Sequence, residues 1–434
     1  MTGMEMDTEM DTEKDRAKDG EKSTEKGTAT GMEKGTETEA QADAPVAVIA
    51  DGVLRPHPGQ PGRAEAHLAA PVVQNHAANL TVLPGGDLGC VWFAGTLEGV
   101  SDISVWVSRL AAGADRWTDP VRLSEDPTRS EQNPLLFPAP SGDLWLLHTA
   151  QLGGRQETAE VRLRVSADGG ATWGPSRTLF EGGVFVRQPV VQLPETGRML
   201  LPIFRCVAPP DAPWTGDRDT SAVMISDDGG HTWSERPVPC STGLVHMNIR
   251  PLSDGSLLAL FRSRRADAVH RSVSYDGGET WSEPEPLAVP NNNSSIQYTV
   301  LADGRLALTY NHSSAADAVA RRVSLYDDIE DEGADEQAVA EPSSDAFWGA
   351  PRAPLSLAVS SDGGLTWPRR HDLETGDGHC LTNNSRDGLN RELSYPSITQ
   401  SPDGTLHIAY THHRRTIRYV RLAPEWTDLN LTSD

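Results

Sequence analysis

Hydrophobic residues in this chain come in short alternating bursts, each broken by a turn that carries glycine. Six bursts share one design: LPGGDLGCVWF at Leu83–Phe93, PAPSGDLWLLHT at Pro138–Thr149, QLPETGRMLLPIF at Gln192–Phe204, PLSDGSLLALFRS at Pro251–Ser263, VLADGRLALTYNH at Val300–His312 and QSPDGTLHIAYTH at Gln400–His412. Period-two alternation on both sides of a tight turn predicts two antiparallel strands. The turn glycines are Gly86, Gly142, Gly197, Gly255, Gly304 and Gly404, and the first five stand 49 to 58 residues apart. That spacing matches a four-stranded propeller blade. The last gap is 100 residues, so the stretch Ser313–Ala350, rich in Asp, Glu, Ala and Ser, reads as an insertion. The pattern predicts an all-β fold, a six-bladed β-propeller of four-stranded antiparallel blades.

A second repeat runs in phase with the first. Ser166–Trp173 (SADGGATW), Ser226–Trp233 (SDDGGHTW), Ser274–Trp281 (SYDGGETW) and Ser360–Trp367 (SSDGGLTW) follow the turn glycines of units two to five. Unit one carries a degenerate form, VSRLAAGADRWTDP, and unit six none. The physics of such an element is local. The Asp accepts backbone N–H groups inside a hairpin, the glycines permit positive φ, and the Trp packs beneath. Asp168, Asp228, Asp276 and Asp362 are therefore expected to serve the fold, with Asp276 as a buried acceptor. The early apolar run Ala44–Pro56 has no turn partner and is expected to supply the outer strand of the last blade, closing the ring without a free edge. Residues 1–45 are Glu, Asp, Thr, Lys, Gly and Met in near-repeats. Such a composition cannot bury enough apolar surface to offset its ordering entropy, so a disordered acidic tail is expected before a propeller spanning 46–434.

Composition narrows the partners. The net charge is -24, which repels nucleic acid and anionic membranes over most of the surface. Four dispersed cysteines, Cys90, Cys206, Cys240 and Cys380, form no metal-ligating cluster and no disulfide framework. No metal site and no cofactor are expected. No apolar run is long enough to span a bilayer, and the first residues lack a signal-peptide core, so the expected location is cytoplasmic.

In a propeller the inner strands converge on a central channel. The polar residues just before the turns are Asn75, His76, Gln132, Asn133, Arg187, Gln188, His246, Asn248, Asn292, Asn293, Gln297 and Tyr395. Such a lining suits a hydrogen-bonding ligand such as a sugar.

With its four SxDxGxTW elements, known as Asp boxes or BNR repeats, the chain from about residue 70 to 422 resembles the sialidase (neuraminidase) superfamily. The resemblance implies a site of three arginines on the substrate carboxylate, an acid for the leaving group and a nucleophilic tyrosine with a glutamate partner. Tyr395, in SYPSI before a DG turn, matches the nucleophile. Arg262 in ALFRSR and Arg352 in PRAPLSLAVSSDGG match two arginines. The first arginine falls on His76, and the glutamate partner falls on or near His246, so this chain departs from the pattern at both. Glu98 is the expected acid, with Asp102 second. Arg187 and Asn248 join Arg262, Arg352 and His76 as expected substrate-binding residues. The pair Arg414 and Arg415 in THHRR is expected on a solvated strand edge.

These roles belong together chemically. A sialic acid bears a carboxylate on its anomeric carbon, which repels a carboxylate nucleophile and favours a neutral tyrosine. Arginine forks bind the carboxylate, and a tyrosine needs a base to act near neutrality. His246 is the expected proton acceptor, and His76, if protonated, would tighten acidic-sugar binding below about pH 6.5. The implied function is a sialidase-like retaining glycoside hydrolase acting on a terminal sialic acid or related acidic sugar, a carbohydrate substrate. The alternative is a non-catalytic glycan-binding propeller.

Overall fold

Six antiparallel sheets account for the chain in the computed structural model, which describes residues 48–210, 212–322, 324–329, 345–430 and 432–433. The tail expected at residues 1–45 lies outside the described residues. Blade one runs Gln74–Val82, Leu88–Gly95, Ser104–Leu110 and Val121–Arg122 from the centre outward, and blade two Arg129–Pro138, Leu144–Leu152, Glu160–Ser166 and Arg177–Phe180. Blade four follows the same plan from Leu244–Pro251 to Glu285–Pro290. Blade three splits its inner strand into Val184–Val186 and Val191–Gln192. Blade five, beginning at Gln297–Val300, carries the expected insertion between Leu306–Asn311 and Leu355–Ser360.

Blade six corrects one expectation. Its strands Leu393–Gln400, Leu406–His412 and Thr416–Leu422 are completed by Arg63–His67, and Arg55–Pro56 adds only a two-residue outer edge. The closing strand is thus RAEAH rather than the apolar run Ala44–Pro56. Ala64 and Ala66 face the core, while Glu65 ion-pairs with Arg418 and Arg63 along the strand. Two alanines suffice because the neighbouring face is crowded by Trp117 and Tyr419, whose rings meet at 5.0 Å.

Burial explains why the sheets stack. Six hydrophobic clusters fill the six gaps between successive blades, including the one where blade six meets blade one through Leu68, Leu80, Trp92, Ile417 and Tyr419. Each sheet is apolar on both faces, as in any sheet covered on both sides. The tryptophans of the SxDxGxTW hairpins enter these gaps: Trp173, Trp233, Trp281 and Trp367 each pack against the cluster shared with the preceding blade. A side chain at Gly230 would collide with Trp145 of blade two, and its φ of 87° also demands glycine.

The four hairpins join third to fourth strands and repeat one hydrogen-bond plan. In blade four, Ser274 Oγ donates to Asp276 Oδ1 (2.8 Å) and accepts Gly278 N–H (2.9 Å), while Asp276 accepts the Thr280 amide (2.9 Å) and hydroxyl (2.5 Å). Asp276 is exposed and Ser274 is buried, which reverses the expectation of a buried Asp. First and third strands run the same way, so these hairpins share an end with the turn glycines. The starts of the inner strands, and the loops after the second strands, lie at the opposite end.

Ser274→Ala leaves the Gly278 amide without its buried acceptor and should cost about 1–3 kcal/mol. Asp276→Ala, at an exposed site, should cost less. Urea unfolding of both variants checks the order; a larger loss for Asp276→Ala would mean that the carboxylate, and not the serine, carries the turn.

Candidate functional site

The inner strands share a local distortion that builds the site. In blades one, two, four and six the ladder shifts register, between His76 and Asn79, Gln132 and Leu135, Val245 and Asn248, and Ser394 and Ser397. Each shift contains a residue with left-handed φ: Ala77 (61°), Asn133 (50°), His246 (53°) and Tyr395 (51°). All four stand nine residues before their turn glycines. Asn293 also has left-handed φ, 56°, at the entry to blade five. A bulge of this kind bends a strand and re-aims a side chain, and non-glycine residues hold positive φ only where their surroundings enforce it. Here the bulges turn side chains toward the centre.

Tyr395 occupies that centre and is 5% exposed. Arg262 Nη1 donates to its hydroxyl at 2.6 Å, and Arg262 Nε donates to Asn293 Oδ1 at 2.8 Å. Three guanidiniums stand at similar distances from its ring centroid: Arg187 at 5.4 Å, Arg262 at 5.5 Å and Arg352 at 5.6 Å. His76 packs on the ring at 4.3 Å and His246 meets it edge-on at 5.7 Å. Residues from blades one, three, four, five and six therefore converge on one phenol.

Beside Tyr395 runs a buried ladder of alternating charge. Glu98 accepts from Arg414 Nη1 at 2.6 Å, Arg414 Nε lies 3.2 Å from Glu392, and Glu392 accepts from Arg352 Nη1 at 3.1 Å. Ser394 Oγ donates to Glu392 at 2.6 Å. Burial alone would raise the Glu392 carboxyl, but Arg414 and Arg352 outweigh it and hold it well below the usual carboxylate range. Arg414 corrects the expectation of a solvated edge. Its turn joins the second and third strands of blade six, its φ is 53°, and its side chain is fully buried between two carboxylates. It brings a guanidinium beside His76, on the side of the site where the resemblance implied an arginine.

Asp102 and Asn248 stand apart from this group. Asp102 is exposed and accepts the Thr96 amide. Asn248 Oδ1 accepts the Tyr298 amide at 2.8 Å and ties blade four to blade five. The protonation of His76, on which tighter binding at low pH was conditional, is also disfavoured. Burial, with Arg414 beside it, holds the imidazole well below its usual 6.5, so it stays neutral where binding was expected to tighten. His246 is likewise held well below 6.5 by burial and by Arg262. Its Nδ1 has no partner, and the Tyr395 hydroxyl is engaged by Arg262 instead.

The insertion of blade five walls the same end. Trp348 covers Arg262 at 5.9 Å and Arg264 at 5.1 Å, and Phe347 O accepts Asn293 Nδ2 at 2.8 Å. Arg264 pairs with fully buried Asp219 at 2.7 Å, and Trp214 Nε1 donates to the same carboxylate. Tyr326 accepts from Gln151 and Gln156, and its ring fills the space beside Gly99, next to Glu98. Sequence reasoning missed Arg414 and Trp348 as members of the site, and it placed Asn293 in the channel lining without giving it a role. Only the NNNSS run, polar at the entry to an inner strand, offered a local signal, and that was for Asn293.

Among the described residues, no three His, Cys, Asp or Glu side chains are placed to hold a metal ion, and no helix is long and apolar enough to cross a membrane. A family profile described as a BNR repeat-like domain matches residues 86–408. Among solved structures, the Hadza microbial sialidase Hz136 aligns with a TM-score of 0.58 at 16% identity, over 81% of this chain and 66% of that one. An intramolecular trans-sialidase from Ruminococcus gnavus, in complex with oseltamivir carboxylate, aligns with a TM-score of 0.60 at 14% identity, over 88% and 99%. A protein of unknown function from Dyadobacter fermentans aligns with 0.61 at 16%, over 84% and 99%. At these identities the likeness is one of fold. A search of curated proteins finds no match to the sequence.

Several buried or half-buried histidines are held below their usual range, chiefly by burial: His76 and His246 as above, His67 at about 3, and His407 and His413 at about 4. On unfolding each takes up a proton below about 6.5. The unfolded state then binds more protons, so stability should fall as pH drops from about 6.5 toward 4. Thermal melts between pH 5 and 8 check this; a melting temperature that stays level or rises on acidification would contradict the buried neutral assignment.

Proposed function

The chain belongs to the BNR repeat-like domain family, and we propose that it is a retaining exo-glycosidase that removes a terminal acidic sugar, sialic acid or a close relative, from a glycoconjugate. One observation carries this reading. Of the five buried arginines around Tyr395, three pair with carboxylates, Arg264 with Asp219, Arg352 with Glu392, and Arg414 with Glu392 and Glu98. Arg187 and Arg262 have no carboxylate partner among the described residues, and Arg262 Nη2 has no hydrogen-bond partner. Burial pulls their guanidiniums down to about 10 and about 9, still cationic at neutral pH. A buried pair of uncompensated cations beside a phenol favours an anionic ligand.

In the proposed reaction, Arg262, whose Nη2 has no hydrogen-bond partner, holds the sugar carboxylate together with Arg352, while Arg187 contributes its charge without touching the sugar. Tyr395 Oη attacks the anomeric carbon and passes its proton to the neutral His246. Glu98 protonates the departing glycosidic oxygen as that bond breaks. Glu98 then deprotonates a water that attacks the anomeric carbon, the bond to Tyr395 Oη breaks, and the phenolate takes its proton back from His246. Glu98 Oε2 is bound to Arg414, so Oε1 is the atom assigned to proton traffic. A second reading, a glycan-binding propeller without turnover, draws support from the fact that no carboxylate among the described residues bonds the Tyr395 hydroxyl.

Tyr395→Phe separates the two. It should abolish release of aryl alcohol from aryl glycosides of sialic and uronic acids, while calorimetric affinity for the free sugar acid stays within about threefold, since one hydroxyl and little shape is lost. A wild-type protein that binds the sugar acids and turns over none of the glycosides establishes the binding module instead.

Arg262→Ala should weaken binding of the same acids by more than about tenfold, about 1.4 kcal/mol. Arg352→Lys should weaken it less, because lysine keeps a point charge without the fork. Affinities that respond equally to a neutral sugar would remove the carboxylate clamp from the reading.

A further inference from the structure

The bulge that presents Tyr395 breaks the ladder between Ser394 and Ser397, leaving the carbonyls of Tyr395 and Pro396 without strand partners. The bulge of blade one does the same for Ala78, between His76 and Asn79. One side chain reaches all three. Arg187, from the split inner strand of blade three on the far side of the ring, donates Nη2 to Ala78 O (3.1 Å), Tyr395 O (3.1 Å) and Pro396 O (3.4 Å). Its guanidinium then lies 5.4 Å from the Tyr395 ring centroid, and the side chain is 1% exposed. The next residue makes a parallel link. Gln188 accepts from Gln297 of blade five (3.1 Å), whose own oxygen accepts Ser397 Oγ (2.7 Å) and the Ile398 amide (2.6 Å). Arg187 thus holds the middle of the Tyr395 bulge, and Gln188, through Gln297, its trailing end.

We propose that Arg187 is a positioning residue, a cross-channel guanidinium that fixes the left-handed backbone and ring of Tyr395 so that its hydroxyl meets Arg262 and the anomeric carbon, rather than a ligand of the sugar. The proposal rests on the reading of Tyr395 as nucleophile. An arginine suits the task better than lysine: three carbonyls lie on one guanidinium nitrogen while the planar cation covers the aromatic face. A small displacement of a reacting group costs rate rather than affinity.

The test compares Arg187→Met and Arg187→Lys with the wild type, by steady-state kinetics on the best aryl glycoside and by crystal structures. Arg187→Met should lower kcat about 100-fold with KM within about threefold, and Arg187→Lys should recover part of that loss. In the Arg187→Met crystal, Tyr395 should leave its positive φ and its hydroxyl should separate from Arg262. Arg187→Lys serves for both readouts if the Met variant does not fold. A kcat within threefold of wild type overturns the proposal, as does a loss confined to KM, which would make Arg187 a sugar ligand. An unmoved Tyr395 in the variant crystal overturns it too. If the wild type turns over nothing, the nucleophile reading fails, and the crystal structures still decide whether Arg187 holds the bulge.

Discussion

Ring closure is the constraint on which everything else depends. The residues that surround Tyr395 come from blades one, three, four, five and six, and the bonded pair Glu98 and Arg414 stands 316 positions apart. Nothing local holds them together. They meet because Arg63–His67 completes the last blade and presses it against the first. This closure covers the two sheet faces that an open stack would expose. It also buries the sixth hydrophobic gap, so the same contact that stabilises the fold assembles the site.

The parts of the fold that are written locally were legible in the sequence. Turn glycines and SxDxGxTW hairpins act within a few residues, so their chemistry survives in the linear pattern. The closing strand was misread for a physical reason. RAEAH buries two alanines and a charged ladder, which as a string looks like solvent-facing chain, whereas VAVIADGV looks like a strand. His246 and Tyr395 could be expected at the centre from their place before a turn, since the bulges fall nine residues ahead of Gly255 and Gly404. Arg414 was misplaced because THHRR is polar throughout. Only the tertiary structure shows that its left-handed turn directs the guanidinium inward, to two carboxylates from distant segments. Asp276 was overrated because the sequence names the motif after its acid, while burial falls on the serine.

Positive φ at Tyr395 and His246, and unpaired guanidiniums at Arg187 and Arg262, are both unfavourable for folding taken alone. A sequence selected only for stability would place asparagine or glycine at the bulges and a carboxylate beside each arginine. The chain does supply such partners elsewhere in the same cluster: Asp219 for Arg264, and Glu392 and Glu98 for Arg352 and Arg414. The absence of a partner is therefore confined to the two cations nearest the phenol.

That asymmetry has a consequence for how the site must be held. Uncompensated cations repel one another, and Arg262 is drawn down by its neighbours Arg264 and Arg352 as well as by burial. Each must be fixed by neutral groups: Arg262 by Asn293 and the Tyr395 hydroxyl, Arg187 by backbone carbonyls. Neutral acceptors hold a guanidinium in place without cancelling its charge, which leaves the field intact for an anion that arrives later. Asn293 is in turn fixed by Phe347 of the blade-five insertion. The insertion therefore acts on the cation field twice, through the Phe347 carbonyl on Asn293 and through the Trp348 ring over Arg262, and a change at either would reach Tyr395 by way of Arg262.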